Sequence, residues 1–210
     1  MRKDKFIILE GRVHGSYSYP DLLVSMDKYL FNKNSYEQHE ALHEINSFML
    51  HPRQFVDFLN LIRTGKAYDG NGKRISTERL DSILGEIINI RDPLRAENLD
   101  AYFDVKNRAM NIMYYKLNAD GKFEKVREPL QDCLMKDKCI NLQDYIKNAN
   151  EQGFPNKNIK KGDLFYGYPI LDAVARFNAY SDWAYLYCDR NPSDSYSSLG
   201  VRVAKIFHKE

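Results

Sequence analysis

The stretch AVARFNAYSDWAYLYCDRNPSDSYSSLGVRVAKIF, residues 173–207, decides the predicted fold, because it places a polar and aromatic centre between two apolar segments. Of the 21 residues from Asn178 to Ser198, 14 are Asn, Tyr, Ser or Asp. Side chains on a β-strand alternate between its two faces. Ala184, Leu186 and Cys188 form a small apolar set that alternates with larger polar and aromatic residues. This pattern predicts a strand with one face packed and the other displayed.

The alternation changes phase within this stretch. Before Trp183 the polar or amphipathic side chains stand at even positions, such as Tyr180 and Asp182, and after it they stand at odd positions, such as Tyr185 and Tyr187. A change of phase by one residue indicates a bulge or a tight turn. We therefore expect the chain to bend near Asp182–Trp183.

The residue types on the displayed side suit a binding surface. Tyr and Trp supply rigid amphipathic contact area, and Ser and Asn supply adaptable hydrogen bonds, as in antibody paratopes. Three Asp against one Arg in residues 178–198 argue against a phosphate backbone as the ligand. Asn, Tyr, Asp and Ser also lie within one adenine change of an AAY codon, so mutagenesis directed at adenines would produce this composition. The alternative is a Tyr- and Ser-rich sheet surface without a special role.

The remaining sequence predicts an α+β order, with helices mainly in the N-terminal half and strands in the C-terminal half. Helices are predicted at 21–31, 36–49, 53–64 and 77–90, with Ser35 and Gln38 as a capping box and Ser76 or Thr77 as a cap. AYFDV, MNIMYYKL and KFEKV predict strands, the last two joined at NADG, and NLQDYIKNAN predicts a short helix. We expect a single domain over 1–210, with a variable region at about 171–206.

Composition bounds the possible partners. With 43% apolar residues, 29% charged residues and a net charge of +2, the chain is globular and gives no electrostatic reason to expect a nucleic acid partner. Three cysteines are too few for a disulfide framework, although Cys133 and Cys139 could pair. We expect a soluble chain without a signal peptide or a membrane-spanning segment. The sequence leaves open whether it is displayed on a virion or a cell surface, and favours a monomer without deciding the oligomeric state.

Residues 173–207 resemble the variable region of the variable proteins of diversity-generating retroelements, most closely the archaeal branch. The matching elements are AVARF at 173–177, the alternating segment at 178–198, and LGVRVAKIF with its G-x-R-V-A strand at Gly200–Ala204. The resemblance implies a C-type lectin fold of the formylglycine-generating-enzyme-like type. It also implies a ligand-binding surface that a reverse transcriptase diversifies by copying a template repeat with mutations at adenines.

The resemblance assigns roles position by position. The diversified, ligand-binding residues would be Asn178, Tyr180, Asp182, Trp183, Tyr185, Tyr187, Asp189, Arg190, Asn191, Ser193, Asp194, Tyr196 and Ser198. The scaffold residues between them would be Ala179, Ser181, Ala184, Leu186, Cys188, Pro192, Ser195 and Ser197. Among the diversified residues, Trp183, Tyr185, Tyr187 and Tyr196 are the expected energetic anchors, because aromatic residues dominate binding hot spots. The ligand would be a protein or a surface structure that the sequence does not identify.

The resemblance implies neither catalysis nor a cofactor. Sugar-binding C-type lectins hold calcium with E-P-N or Q-P-D and W-N-D, whereas this chain has only Asn191-Pro192 and no W-N-D. The related oxidases use a reactive cysteine pair, whereas only Cys188 lies near this surface, and the alternation turns it inward.

HEALH, at 39–43, supports a different hypothesis. In zinc hydrolases of the H-E-x-x-H type, His39 and His43 would bind the metal and Glu40 would be the general base. A zinc site needs a third protein ligand, for which Glu78 and Glu86 are the candidates. The helical wheel instead predicts that both histidines face solvent. An inert structural subunit is the third alternative.

Overall fold

The computed structural model describes residues 2–89, 94–117, 122–180 and 182–208. These residues form four α-helices: α1 Ser35–Glu44, α2 Pro52–Arg63, α3 Thr77–Ile88 and α4 Leu142–Asn148. They form thirteen strands: β1 Phe6–Leu9, β2 Arg12–His14, β3 Tyr17–Tyr19, β4 Leu22–Tyr29, β5 Phe48–Met49, β6 Arg95–Lys106, β7 Ala109–Leu117, β8 Phe123–Pro129, β9 Lys138–Ile140, β10 Leu164–Gly167, β11 Ala173–Ala179, β12 Ala184–Arg190 and β13 Leu199–Ile206.

Eleven strands make one mixed sheet. Its main path runs β1-β4-β13-β6-β11-β12-β10-β9, with β5 paired to β13 and the β7–β8 hairpin paired to β6. The pairs β13–β6 and β10–β12 are parallel, and the neighbouring pair β11–β12 is antiparallel. Strands β2 and β3 form a separate hairpin.

The predicted fold class is wrong. The structure is mostly β, with 41% strand and 22% helix, and strands β1–β5 lie in the half of the chain where we expected mainly helices. The arrangement predicted from the resemblance, a C-type lectin fold with a helical N-terminal half and a C-terminal variable β region, is therefore corrected to a large mixed sheet with four helices among the described residues.

The clearest error is the helix predicted at 21–31, which is strand β4. Leu22, Val24 and Met26 pack into the main core on one side of the sheet, and Leu23 packs into a smaller core on the other. A strand buried on both faces has a continuous apolar run, so periodicity does not distinguish it from a buried helix. The pairing of β4 with both β1 and β13 decides between them.

Helix α1 is shorter than predicted and begins with a different cap. Asn34 accepts a hydrogen bond from the backbone N–H of Glu37, and the Glu37 carboxylate accepts one from the backbone N–H of Asn34. The helix ends at Glu44, and Asn46 then adopts a positive φ of 49°, which leads the chain into β5. The capping box predicted at Ser35 and Gln38 is wrong by one position.

Other predicted elements are confirmed. Helices α2, α3 and α4 lie where the sequence placed them, and the Ser76 hydroxyl accepts from the N–H of Arg79 at the start of α3. Strands β6 and β7 contain the predicted segments AYFDV and MNIMYYKL, and β8 contains all of KFEKV except Lys122. The predicted junction at NADG, 118–121, and the last residue of the helix predicted at 77–90 lie outside the described residues.

Helices α2 and α3 cover the sheet behind β11. The amphipathic helix α2 buries Phe55, Phe58 and Leu59 completely, and the ring of Phe55 lies 5.3 Å from that of Phe177 on β11. Burial of each such side chain stabilises the fold by about 1.5–3 kcal/mol. Strand β11 is buried along its whole length, whereas β12 has one partly exposed face, so β12 is the strand on which a surface can be displayed.

His51 caps α2 in a buried position. Its Nδ1 accepts a hydrogen bond from the Arg53 N–H at 3.2 Å, and its ring stacks on Tyr17 with centroids 4.4 Å apart. Burial, with the neighbouring Arg53 charge, lowers the pKa of His51 from 6.5 to about 3. The imidazole is therefore neutral in the folded protein at neutral pH.

This pKa predicts a loss of stability in acid. Between pH 6.5 and about 3 the unfolded chain binds a proton at His51 that the folded chain does not bind, so the free energy of unfolding falls as the pH falls. His51→Asn keeps a capping side chain without a titrating group. We expect this variant to lower the slope of unfolding free energy against pH in that window by up to about 1.4 kcal/mol per pH unit. Urea unfolding of both proteins at several pH values measures the difference, and parallel curves would contradict the assignment.

Candidate binding surface

Strands β11 and β12 form a hairpin that carries the predicted variable region. The turn between them is closed by a hydrogen bond from the Tyr180 N–H to the Trp183 carbonyl at 3.0 Å. The strands resume pairing at Ala179 and Ala184. The tight turn predicted from the phase change near Asp182–Trp183 is confirmed, and Ser181 lies outside the described residues.

The alternation predicted for β12 is confirmed. Ala184, Leu186 and Cys188 are buried, with Leu186 and Cys188 fully inaccessible. Tyr185, Tyr187 and Asp189, together with Arg190, are partly exposed. At the turn, Tyr180 and Trp183 are 42% and 37% exposed, and Asp182 is also exposed. The side chains that fill the core and those that reach solvent are therefore separated along this strand.

Three rings form an aromatic strip, defined as Phe165, Tyr185 and Tyr187. The two tyrosine rings stack with centroids 4.8 Å apart and planes 12° apart. Phe165 lies opposite Tyr185 in the parallel β10–β12 register, and its ring is 5.7 Å from that of Tyr185 and 5.9 Å from that of Tyr187. Sequence analysis missed Phe165, because the parallel register that brings β10 beside β12 leaves no local signal.

Polar groups surround the aromatic strip. The Tyr185 hydroxyl donates to Asp182 Oδ1 at 2.6 Å. Burial first, then this hydrogen bond, raises the pKa of Tyr185, so the phenol is the donor. The guanidinium of Arg190 lies 3.8 Å from the ring centroid of Tyr187 and donates twice to Asp189, at 2.9 and 3.0 Å. Two carboxylates, Asp182 and Asp189, thus flank the two stacked tyrosine rings along the chain.

The segment 191–198 is hydrogen-bonded to a buried cation, the guanidinium of Arg176 on β11. Its side chain is 1% exposed. It donates to Asp194 Oδ2 at 3.1 Å, to the Tyr196 hydroxyl at 3.3 Å and to the Asn191 carbonyl at 3.3 Å. A buried charge must be paired and hydrogen-bonded to be tolerated. Sequence analysis missed Arg176, which it counted only as part of the AVARF motif.

A second set of hydrogen bonds connects Arg176 to strand β6 and, through it, to helix α1. Its Nε donates to Asn98 Oδ1 on β6 at 2.8 Å, and Asn98 donates to Gln38 Oε1 on α1 at 2.9 Å. The N–H of Ser35 at the start of α1 donates to the Pro192 carbonyl at 3.0 Å. Helix α1, strand β6 and the segment 191–198 therefore meet around one guanidinium.

Several predicted positions differ from the alternation. Asn178 is 6% exposed, although it was predicted to face outward. It pairs in register with Ala96, whose N–H donates to the Ser198 carbonyl, so the segment 191–198 returns to the sheet beside it. Ser195 and Ser197 were assigned to the scaffold but are exposed, because this segment is not a strand.

The remaining positions follow the prediction more closely. Asn191 and Ser193 are exposed, Asp194, Tyr196 and Ser198 are partly exposed, and Ala179 and Pro192 are buried. Asp194 and Tyr196 nevertheless use their side chains to hold Arg176. The structure thus brings the predicted residues to one region, but it buries Asn178 and gives Asp194 and Tyr196 an internal role.

The histidines of HEALH are partly buried, whereas the helical wheel predicted that they face solvent. His39 Nε2 lies 3.5 Å from Asp100 Oδ1, and the His43 ring stacks on Phe123 with centroids 4.3 Å apart. Burial lowers the pKa of His39 to about 3 and also lowers that of His43, and it raises the pKa of Asp100 to about 8. Phe123, on the β7–β8 hairpin, packs against the face of helix α1 that the helical wheel predicted to be exposed to solvent.

The metal hypothesis finds no third ligand in the part of the chain that the structure describes. No group of three or more His, Cys, Asp or Glu side chains there could hold a metal ion. Glu86, one of the two candidates, forms a salt bridge with Arg95 at 2.5 Å, and Glu40 is exposed. Cys133, Cys139 and Cys188 are free thiols, and Cys188 is fully buried, as its inward direction predicted.

Neither a protein-family model nor a curated protein nor a solved structure matches this chain. Among the described residues, none of the helices combines the length and the apolar character needed to cross a bilayer.

The contacts of Arg176 predict that neighbouring positions differ in their tolerance to substitution. Asp194→Ala removes the carboxylate that pairs with a buried guanidinium, and we expect it to lower the free energy of unfolding by about 1–2 kcal/mol, since Asp194 itself is 40% exposed. Ser193→Ala, at the exposed position next to it, should change stability by less than about 0.5 kcal/mol. Chemical denaturation measures both, and equal effects would contradict the structural role of Asp194.

Proposed function

We propose that this chain is a ligand-binding, receptor-like protein that displays a variable surface on a fixed β-scaffold. The display surface is defined as Tyr180, Asp182, Trp183, Tyr185, Tyr187, Asp189 and Arg190. The observation that carries the proposal is the separation of roles on β12, where buried Ala184, Leu186 and Cys188 alternate with side chains that reach solvent. Substitution of exposed side chains usually changes stability by no more than about 0.5 kcal/mol, so such a strand can vary outward without losing its core.

The chemistry of the display surface supports binding of a macromolecule. Tyr and Trp bury large areas with few rotatable bonds and dominate binding hot spots. Trp183 and Tyr180 are exposed at the turn, and two stacked tyrosines lie beside them on β12. Large exposed aromatic side chains that cluster on one surface are typical of interaction sites. The proposal involves no catalytic step and requires no cofactor.

The origin of the variation is the second part of the proposal. The resemblance of residues 173–207 to the variable proteins of diversity-generating retroelements supports diversification by adenine-directed mutagenesis. The residues of the display surface include Tyr and Asp, which lie within one adenine change of AAY codons. Arg190 and Trp183 lie further from such codons, and Trp needs a different starting codon.

A pair of matched libraries tests the proposal. One library varies the seven positions of the display surface, and the control library varies the four buried positions Ala179, Ala184, Leu186 and Cys188. We expect most members of the first library to fold, because their side chains reach solvent. Most members of the control library should unfold, because each core substitution costs about 1–5 kcal/mol, through a cavity at Leu186 and through overpacking at the alanines. Protease resistance on a display platform measures the folded fraction of each library.

Selection then tests the binding function. Panning the first library against serum albumin and against streptavidin should give two different sets of sequences, each specific for its own target. Equal folded fractions in the two libraries would contradict the separation of scaffold from surface. A well-folded display library that yields no specific binder to either protein would contradict the binding function.

A further inference from the structure

The display surface carries two similar units, each made of a tyrosine ring and a carboxylate. Tyr187 and Asp189 form the first unit, and Tyr185 and Asp182 form the second. In the first unit the guanidinium of Arg190 lies on the ring and pairs with the carboxylate through two hydrogen bonds. Because Tyr185 stacks against one face of the Tyr187 ring, Arg190 occupies the other face. The first unit is therefore filled by a cation from the chain itself.

The second unit has the same components without a cation. The Asp182 carboxylate accepts a hydrogen bond from the Tyr185 hydroxyl and is exposed. Among the described residues, no Lys or Arg side chain forms a salt bridge with Asp182, that is, none has a nitrogen within 4.0 Å of a carboxylate oxygen of Asp182. An exposed carboxylate beside an aromatic ring is the combination that binds guanidinium and ammonium groups.

The charges near the aromatic strip are mostly negative. Burial raises the pKa of Tyr187, and the negative charges of Asp189, Asp182 and Asp137 raise it further, while Arg190 opposes them. Asp137 is exposed and accepts a hydrogen bond from the Tyr168 N–H, just after β10. Three carboxylates against one guanidinium repel phosphate groups and attract cations.

We propose that the display surface of this particular chain recognises a basic protein segment, whose Arg or Lys side chain binds at Tyr185 and Asp182. This inference rests on the proposed binding function and specifies the ligand chemistry for one sequence of the variable region. Exposed Trp183 and Tyr180 extend the apolar contact beyond the size of one cationic side chain, which favours a protein segment over a free amino acid or a small cation.

Short peptides of defined charge test the inference on the full chain. The probes are (Gly-Arg)₄, (Gly-Lys)₄ and (Gly-Glu)₄, with affinity measured by fluorescence anisotropy at low and moderate salt. We expect the two cationic peptides to bind, the arginine peptide more tightly because guanidinium groups stack better on rings, and the acidic peptide not to bind. Binding should weaken as salt is added.

Two substitutions separate the proposed site from general charge attraction. Asp182→Asn should weaken binding of the arginine peptide by about tenfold, since one charge-assisted hydrogen bond contributes about 1.4 kcal/mol or more. Asp81→Asn makes the same charge change at an exposed position on α3 and should have less than about a twofold effect. Equal effects of the two substitutions would overturn the assigned site.

Arg190 provides a test with the opposite sign. Arg190→Ala removes a competing cation and opens the Tyr187–Asp189 unit, so we expect binding of the arginine peptide to strengthen by about three- to tenfold. Weaker or unchanged binding would overturn the two-unit account. Binding of (Gly-Glu)₄ as tight as that of (Gly-Arg)₄ would also overturn it. If the libraries described above fold and yield specific binders while no cationic peptide binds, only this inference fails, and the proposed function stands.

Discussion

The position of the segment 191–198 depends on one buried guanidinium. Arg176 lies in a central strand with its side chain 1% exposed, so nearly all of its hydration is lost on folding. That loss must be offset by hydrogen bonds and an opposite charge. Strand β6 supplies an amide oxygen, and the segment 191–198 supplies a carboxylate, a hydroxyl and a backbone carbonyl. A segment without regular secondary structure is thereby held against the sheet.

This constraint divides the predicted variable region into two parts. On β12 and its turn, the residues that reach solvent contact one another, as in the tyrosine stack and the Arg190–Asp189 pair, and they contact Phe165 on β10. In the segment 191–198, Asp194 and Tyr196 point part of their polar groups into the protein to satisfy Arg176. Under the proposed function, the first part would change its chemistry with little effect on the scaffold, whereas the second part would serve both display and stability. Such a surface would, under the proposed function, keep its shape while its outward side chains differ.

Sequence reasoning predicted the parts of the structure whose signal is local. The alternation of β12 has a period of two residues and one buried face, so it gave both the strand and the inward direction of Cys188. The sequence of strand β4 predicts a helix because both faces of the strand are buried, which removes the two-residue periodicity. The predicted orientation of the His43 side chain was wrong because Phe123, which stacks on its ring, lies in a hairpin 80 residues later in the chain. Phe165 and Arg176 went unrecognised for the same reason, since their partners come together only through the sheet topology.

The central claim is that the outward side chains vary on a constant scaffold, and deep sequencing of the 3′ end of this gene in its source population tests it most directly. The account predicts substitutions concentrated at the codons of the display surface, with fewer at Asp194 and Tyr196 and none that remove Arg176 or the buried residues of β12. It also predicts a near-copy of codons 171–206 in the neighbouring DNA, beside a reverse transcriptase gene. A uniform 3′ end without a near-copy would contradict the claim and leave a fixed aromatic surface on a β-sheet.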